Sequence, residues 1–272
     1  MKRNQTIQLI IVILVISCLN MCGGSGDFTY DGDGDLIVKY YNKYRFLSNN
    51  IVTFRIKDEL SKEDAQKLPR YFKAFYRESK KKKLIVVIET YSKGKIKKRQ
   101  RFNPEVGNLA RMDTFVNGEL NEYYIYFYDE NDSSVLIKRE VFSNKKLLKR
   151  AEKYGFGVLE EIDYYNSKRY ITKTETYIGS QVDTIKYYDE KGNIVRETGT
   201  YDNGRYPYII KYTYDKDNNM IKVENTQRGK RSGVHYYNKD GTYAKEERYN
   251  ERGELIEVIQ FDKNGNPIKE SK

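Results

Sequence analysis

One short phrase recurs along the C-terminal part of the chain: an aromatic residue, then Asp or Asn, a few polar residues and usually Gly. Between residues 187 and 266 it reads YYDEKGN, YTYDKDNN, YYNKDGT, RYNERGE and QFDKNGN. An interval of 12 residues separates Gly229, Gly241, Gly253 and Gly265. Asp and Asn can bond their own backbone two residues on, and Gly tolerates positive φ, so each phrase is typical of a hairpin turn. Such a chain is restricted to short strands that alternate with tight turns.

The aromatic residue in front of each turn keeps the same step over most of the chain. After a first step of 24 residues, every step lies between 11 and 14 in the series Tyr91, Phe115, Tyr128, Phe142, Tyr154, Tyr165, Tyr177, Tyr188, Tyr201, Tyr214, Thr226, Tyr237, Tyr249 and Phe261. Aromatic side chains suit a pleated, half-buried surface. The period therefore predicts a mainly β protein, built as one long antiparallel meander of strand-turn repeats of about 12 residues.

The strands of this meander mix charged and aromatic residues. The chain of 272 residues holds 27 Tyr and no Trp, and 50 Lys and Arg stand against 39 Asp and Glu. Strands of this kind cannot be buried on both faces, which excludes a parallel sheet covered by helices. No consistent apolar face runs along them, and open sheets of more than about ten strands curl or split. We therefore expect an open, curled sheet in which Lys, Glu and Tyr pair across strands.

The N-terminus has the features of an export signal followed by a lipid anchor. A short basic head precedes an apolar run at residues 7–16, which is too short to span a bilayer, since a transmembrane helix needs about 20 residues. The run ends in Val-Ile-Ser before Cys18, which resembles the bacterial lipobox, and Cys22 is an alternative anchor. Residues 1–17 are thus predicted to be a signal peptide and 18–35 a flexible linker. We expect a lipoprotein held in the bacterial cell envelope, at the outer membrane or cell surface.

A small α+β cap is predicted between the linker and the repeats, at residues 36–90. It contains two strand-like runs and then a helical region near 61–80, which begins at a capping pair formed by Ser61 and Asp64. One face of that helix would carry residues at helical spacing, with a break at Pro69: Ala65, Leu68, Phe72 and Phe75. Residues 91–272 form the predicted repeat domain.

Neither catalysis nor metal binding finds support in the residue pattern. His235 is the only histidine, which excludes most catalytic triads and histidine metal sites. Asp31, Asp33 and Asp35 have the spacing of a calcium loop, but Leu36 stands where the turn glycine belongs. No phosphate-binding or dinucleotide-binding motif occurs. The sequence predicts a non-enzymatic protein without metal or cofactor.

The densest positive charge lies at residues 80–83 and 93–101. Such a stretch can bind nucleic acid, bind anionic lipid headgroups, or keep an exposed strand from pairing with other chains. An exported protein rarely meets nucleic acid, so we expect no nucleic-acid partner. The other two interpretations remain open at this point.

The repeats resemble bacterial MORN-type repeats and the YD repeats of large bacterial surface and toxin proteins. The resemblance covers about 90–270 and is carried by stretches such as YYDEKGNIVRETGTYDNGR and YNKDGTYAKEERYNERGELIE. Two positions depart from the pattern, with Asn218 in place of Gly and Thr226 in place of the aromatic residue. The resemblance implies a β-sheet scaffold for binding or display, sometimes in toxin neutralisation.

Two functions follow as expectations. In the first, an aromatic face of the sheet binds a protein or glycan partner through Tyr208, Tyr212 and Tyr214, which share one face of a strand by alternation. In the second, the chain is an immunity or antitoxin-like protein that neutralises a partner toxin.

Overall fold

The computed structural model describes residues 36–43, 45–46, 52–53, 58–79, 82–103, 105, 107–201 and 204–268. The chain divides into a unit of Met1–Leu36 and a compact unit of Ile37–Lys272, and the description below concerns the second. The predicted signal peptide, both anchor candidates Cys18 and Cys22, and the predicted linker lie outside the described residues. Within the described ranges, no helix is long and apolar enough to cross a membrane.

The described chain is a succession of strands with one short helix near its N-terminus. The first part comprises β1 Ile37–Tyr41, β2 Arg45–Phe46, β3 Val52–Thr53, β4 Glu59–Leu60, α1 Lys62–Lys67, β5 Arg70–Ser79, β6 Lys82–Ser92, β7 Lys95–Phe102, β8 Leu109–Val116 and β9 Glu119–Tyr128. The remainder comprises β10 Leu136–Ser143, β11 Leu148–Gly155, β12 Val158–Tyr165, β13 Ile171–Ile178, β14 Gln181–Tyr188, β15 Ile194–Tyr201, β16 Tyr206–Tyr214, β17 Met220–Gln227, β18 Lys230–Tyr237, β19 Tyr243–Tyr249, β20 Leu255–Phe261 and β21 Pro267–Ile268.

Nineteen of the described strands form one antiparallel sheet, and β2 and β3 form a separate pair. From β5 to β21 every strand pairs with the next strand in the chain. At the other end β1 lies between β5 and β4. The registers run from β4 through β1 and β5 to β21 without closing on themselves, so the sheet is open. The predicted mainly β fold, an open antiparallel meander with one helix near the N-terminus, is confirmed.

The turns have the chemistry that the repeated phrase predicts. In the β14–β15 turn, Asp189 Oδ1 accepts hydrogen bonds of 2.9 Å from the backbone N–H groups of Lys191 and Asn193. Gly192 in that turn has φ 90°, a left-handed conformation that glycine adopts without a steric penalty. Asn218 occupies the matching position of the β16–β17 turn with φ 73°. Asn is among the few other residues that tolerate this region, which explains why the same turn forms without a glycine at this position.

The aromatic residues in front of the turns coincide with β-bulges. The register between β13 and β14 shifts by one residue between Thr176 and Tyr177, and that between β14 and β15 shifts between Tyr187 and Tyr188. The pairing of β15 with β16 is an exception, because its register is regular up to Tyr201. A bulge bends its strand and increases the local twist. The aromatic period read from the sequence therefore marks a series of bulges.

The helix is shorter than predicted. Ser61 caps it as expected, with the N–H of Asp64 donating to Ser61 Oγ at 3.0 Å, but the helix ends at Lys67. Leu68 is extended (φ −78°, ψ 146°), as expected for the residue that precedes Pro69.

The predicted helical face beyond Pro69 is wrong, because residues 70–79 form strand β5. Phe72 pairs with Tyr41 of β1 and Phe75 pairs with Val38, so the two rings point to opposite sides of the sheet. β5 pairs with β6 over its whole length and with β1 over Phe72–Tyr76, and this pairing overrides the helical spacing of its apolar residues.

Apolar packing is concentrated in the first strands. One described cluster joins Ile88, Phe102 and Leu109, and another joins Tyr41, Phe72 and Ala74. The buried residues of the later strands include many polar or charged ones, among them Glu152, Asp163 and Thr174. Beyond their backbone ladders, the later repeats therefore depend on hydrogen bonds and ion pairs between side chains more than the first strands do.

Candidate functional site

Each side of the sheet carries its own set of side chains, because neighbouring residues of a strand point to opposite faces and directly paired residues share one face. We define the front face as the side of Tyr208 and Tyr212, which pair with Gly199 and Val223. The back face is the side of Glu152 and Glu175, both of which pair with Ile162.

The three predicted binding residues come together on the front face of β16, all half-buried. Tyr208 OH donates to Glu197 Oε1 at 2.9 Å, and Tyr214 OH donates to the carbonyl oxygen of Ile194 at 2.9 Å. Burial raises the pKa of Tyr208 to about 12. Burial also raises the pKa of Tyr212 and of Tyr214. Tyr208 and Tyr214 thus carry internal hydrogen bonds, and all three tyrosines offer part of their rings to solvent.

Tyr208 is held against the sheet by a glycine. A Cβ atom added to Gly199, its cross-strand partner, would lie 2.8 Å from ring carbons of Tyr208. The ring therefore occupies the space that a side chain at Gly199 would need. Tyr201 stacks on Tyr208 with a centroid distance of 4.5 Å and is itself 50% exposed. Tyr208 is the supporting ring of this pair, and Tyr201 is the ring available for contact.

The aromatic surface continues beyond β16 through rings that our sequence analysis did not assign to the site. The Tyr237 and Tyr243 rings lie 5.1 Å apart, and Tyr243 lies 5.6 Å from Phe261. Tyr243 is 44% exposed. We call the whole set the front aromatic surface: Tyr201, Tyr208, Tyr212, Tyr214, Tyr237, Tyr243 and Phe261. Its pre-turn members could have been found from the aromatic period, whereas Tyr243 follows a turn and carries no such signal.

A depression of about 450 Å³ lies on the front face beside the aromatic surface. Its walls combine two carboxylates and four cations with two tyrosines, two threonines, an isoleucine and a glycine: Lys153, Glu161, Asp163, Arg169, Tyr170, Ile171, Thr174, Thr176, Lys186, Tyr188, Lys191 and Gly192. Both carboxylates bind Lys153, and Thr174 Oγ1 donates to Asp163 Oδ1 at 2.7 Å. Arg169, Lys186 and Lys191 form no ion pair with any residue that the structure describes. The depression is therefore net positive.

The back face carries a ladder of buried and partly buried carboxylates, each bound by a basic residue two positions earlier in its strand. Glu152, which is 3% exposed, binds Arg139 of β10 and Arg150 of its own strand, and accepts a 2.6 Å hydrogen bond from Tyr154 OH. Glu175 binds Lys173 at 2.8 Å. We call the following set the carboxylate ladder: Glu152, Glu175, Glu224 and Glu247.

The rest of the ladder repeats this pattern with small variations. Glu175 also accepts hydrogen bonds from Tyr164 and Tyr177, at 2.8 and 2.7 Å. Glu224 binds Lys222 at 2.9 Å, and Glu247 binds Lys245 at 2.7 Å. Steps of 23 residues separate Glu152 from Glu175 and Glu224 from Glu247, which is the length of two strands with their turns.

The ladder carboxylates are kept ionised by their partners. For Glu152, burial alone would raise the pKa, but hydrogen bonds from Tyr154 and Arg150 and the charge of Arg139 outweigh it and lower the pKa below 4.5. The hydrogen bond from Lys245 is the main cause that lowers the pKa of Glu247. Each rung, meaning one ladder glutamate with its basic partner, is therefore an internal ion pair and not an acid or base that titrates near neutral pH.

The sheet neutralises part of the basic stretch that the sequence shows at residues 93–101. Arg99 binds Glu89 at 2.7 Å, and Arg101 binds Asp113 at 2.6 Å. Burial lowers the pKa of Lys98. The stretch lies on β7, which is paired on both sides, so the protection of an exposed strand does not explain it. Residues 80–81 of the other basic run lie outside the described residues.

The single histidine belongs to the aromatic surface. His235 lies edge-on to Tyr243 with ring centroids 5.8 Å apart, and its Nδ1 is buried without a hydrogen-bond partner in the described part of the chain. Among the described residues, no group of three or more His, Cys, Asp or Glu side chains could hold a metal ion.

No protein-family model and no curated protein sequence matches the chain. Solved structures with partial similarity include TcdB2-TccC3-TEV, at 10% identity and a TM-score of 0.27, covering 71% of this chain and 11% of that one. A GtfA/B complex bound to UDP and GlcNAc has 14% identity and a TM-score of 0.20, with 38% of this chain and 20% of that one covered. A porin-like protein from Bacteroides uniformis has 8% identity and a TM-score of 0.22, covering 86% and 92%. TM-scores this low support no conclusion about this chain.

Proposed function

We propose that the chain is a non-enzymatic envelope lipoprotein whose repeat sheet is a binding scaffold for a protein or glycan partner. The observation that carries this proposal is the front aromatic surface, in which seven rings from β15 to β20 lie on one side of the sheet. Aromatic rings supply large contact area at a low cost in conformational entropy, and they stack on sugar rings and fill pockets in protein partners alike.

The position of the two most exposed rings supports a role in contact. Tyr201 and Tyr243 are 50% and 44% exposed, and each rests on a less exposed ring, Tyr208 and Tyr237. An aromatic side chain held in place by a neighbour loses little freedom on binding. The supporting ring of Tyr208 is in turn fixed by its hydrogen bond to Glu197.

A double substitution of the exposed rings tests the proposal. The full-length chain is immobilised and incubated separately with the protein fraction and the polysaccharide fraction of the envelope of its own bacterium. We expect one fraction to yield a ligand whose affinity falls about tenfold or more in the Tyr201→Ala/Tyr243→Ala variant, as for other aromatic anchors. Phe156→Ala is the matched control, because Phe156 is 100% exposed at a turn outside the aromatic surface.

Unchanged retention by the double variant would overturn the assignment of the aromatic surface. Equal losses in the double variant and in Phe156→Ala would also count against it, because they would indicate general adhesion of exposed rings. Circular dichroism of both variants checks that the sheet is intact.

The membrane anchor is a separate part of the proposal and rests on the sequence around Cys18. Metabolic labelling with a clickable palmitate is expected to mark the wild-type chain and not Cys18→Ala. Label that disappears only in Cys22→Ala would move the anchor to Cys22. Label that persists in both single variants and in the double variant would show that neither thiol is acylated.

A further inference from the structure

The carboxylate ladder lacks one rung, and the gap lies on β15. In β11, β13, β17 and β19 a basic residue is followed two positions later by the ladder glutamate. β15 keeps the basic residue, Arg196, but has Thr198 at the glutamate position. Thr198 follows Glu175 by 23 residues, the same step that separates Glu152 from Glu175.

Two exposed cations face each other at this gap without a carboxylate between them. Arg196 pairs directly with Lys211 of β16, and neither forms an ion pair within the described part of the chain. Lys211 lies opposite Glu224 of β17 without binding it, and the Arg196 guanidinium lies 5.7 Å from the centroid of the Tyr187 ring. Like charges that are directly opposed across two strands are destabilising. The adjoining cations Lys222 and Arg231 both bind Glu224, at 2.9 and 3.5 Å. Two cations thus bind Glu224, and Arg196 and Lys211 have no carboxylate of their own among the described residues.

The surroundings of Thr198 match those of an occupied rung. Glu175 lies between Ile162 and Ile185 on the neighbouring strands, and Thr198 lies between Ile185 and Ile209. Apolar walls of this kind cover the methylene groups of a glutamate side chain, while the basic residue two positions earlier binds its carboxylate. A threonine fills less of that space and supplies no carboxylate for the two cations.

We propose that the gap between Arg196, Thr198 and Lys211 binds a carboxylate side chain from an acidic segment of a protein partner, which takes the place of the missing glutamate. The isoleucine walls favour such a side chain over a sulfated sugar, because a sulfate group is joined to its sugar ring without the methylene chain that these walls would cover. This site goes beyond the function proposed above, since it lies on the back face and involves none of the front aromatic surface.

The test measures how a fluorescein-labelled hexaglutamate peptide binds the full-length chain, by fluorescence anisotropy at low salt. Thr198→Glu supplies the missing rung from the chain itself, and Arg196→Gln removes one of the two cations. Each of these variants is expected to lower the affinity for the peptide by about tenfold or more, which is the effect of losing a charge-assisted hydrogen bond. Lys239→Gln is the matched control: it also lowers the net charge by one, at a 74% exposed side chain of the β18–β19 turn. We expect it to change the affinity by less than about twofold.

Two further measurements separate this site from general attraction and from misfolding. The Thr198→Glu variant is expected to have a melting temperature no lower than that of the wild type, because it completes the ladder. Tyr201→Ala is expected to bind the peptide with unchanged affinity.

An equal loss of peptide affinity in Thr198→Glu and Lys239→Gln, or an unchanged affinity in Thr198→Glu, would overturn the proposal. So would a wild type that ignores the peptide but binds a heparin oligosaccharide in a manner sensitive to Thr198→Glu, which would assign the gap to a sulfated glycan.

Discussion

Replacing Glu152 by glutamine is expected to lower the free energy of unfolding by about 3 kcal/mol. Glutamine keeps the size of the side chain but removes the charge that binds Arg139 and Arg150, and breaking a buried ion pair from one side leaves the other charges unbalanced. The two arginine side chains are 29% and 31% exposed, so solvent screens part of this loss and the lower end of the usual range applies. Urea unfolding followed by circular dichroism measures the change.

Glu257→Gln is the matched control for this result. Glu257 also binds an arginine, Arg248 at 2.9 Å, but both side chains are 50% exposed. A surface pair of this kind contributes between about 0 and 1 kcal/mol. A loss in Glu152→Gln no larger than that in Glu257→Gln would mean that the ladder does not stabilise the sheet.

The same carboxylate makes the expected loss depend on pH. The pKa of Glu152 in the folded chain lies below its ordinary value of 4.5. Its contribution to stability is therefore fully present above that ordinary value and is lost as the pH falls through the lower, folded pKa. The difference between wild type and Glu152→Gln should be constant near neutral pH and shrink at acidic pH. A difference that stays constant down to acidic pH would contradict this origin.

Truncating Ile88 to alanine is expected to cost about 2–5 kcal/mol, the range for a large buried aliphatic side chain. Ile88 is 1% exposed and packs with Phe102 and Leu109, so the cavity would open inside the main apolar cluster of the first strands. Ile268→Ala, at a 49% exposed position of β21, is the control and should change the free energy of unfolding little.

Hydrogen exchange on Ile88→Ala adds a spatial prediction. Each strand pairs with its sequence neighbours, so the damage should be confined to strands near β6, and amides of β15 to β19 should keep their protection. Uniform loss of protection along the chain would show that the sheet unfolds as one cooperative unit.

The features that could be predicted from the sequence are those that local chemistry determines. Asp or Asn followed by a residue that accepts positive φ is sufficient for a turn, and this holds even where Asn218 replaces glycine. The extent of the helix could not be predicted in this way. The spacing of Phe72 and Phe75 fits a helix as well as a strand, and only the partners on β1 and β6 decide between the two.

The candidate site shows the same limit. Alternation along β16 is a local property, so the shared face of Tyr208 and Tyr212 was predictable. The neighbours of that face depend on the registers of other strands, and so Tyr243 was missed. The carboxylate ladder left a trace in the sequence, a basic residue and then a glutamate two positions later, repeated at about two strands' length. That trace was hidden among many other Lys and Glu residues, and only the pairing of the strands distinguishes its members.

The 23-residue step of the ladder has a consequence for how such a chain can change in length. One strand with its turn reverses the direction of the chain and places the next turn at the opposite end of the strands. Two strands restore the direction of the chain, the position of the turn and the position of the ladder glutamate. A duplicated or deleted segment of two strands therefore leaves all the remaining repeats with the surroundings they had. Gain or loss of a single strand would instead break the alternation of the rungs. The repeat that is free to multiply during evolution is thus the pair of strands, and a scaffold of this kind can be lengthened to fit a longer partner without being redesigned.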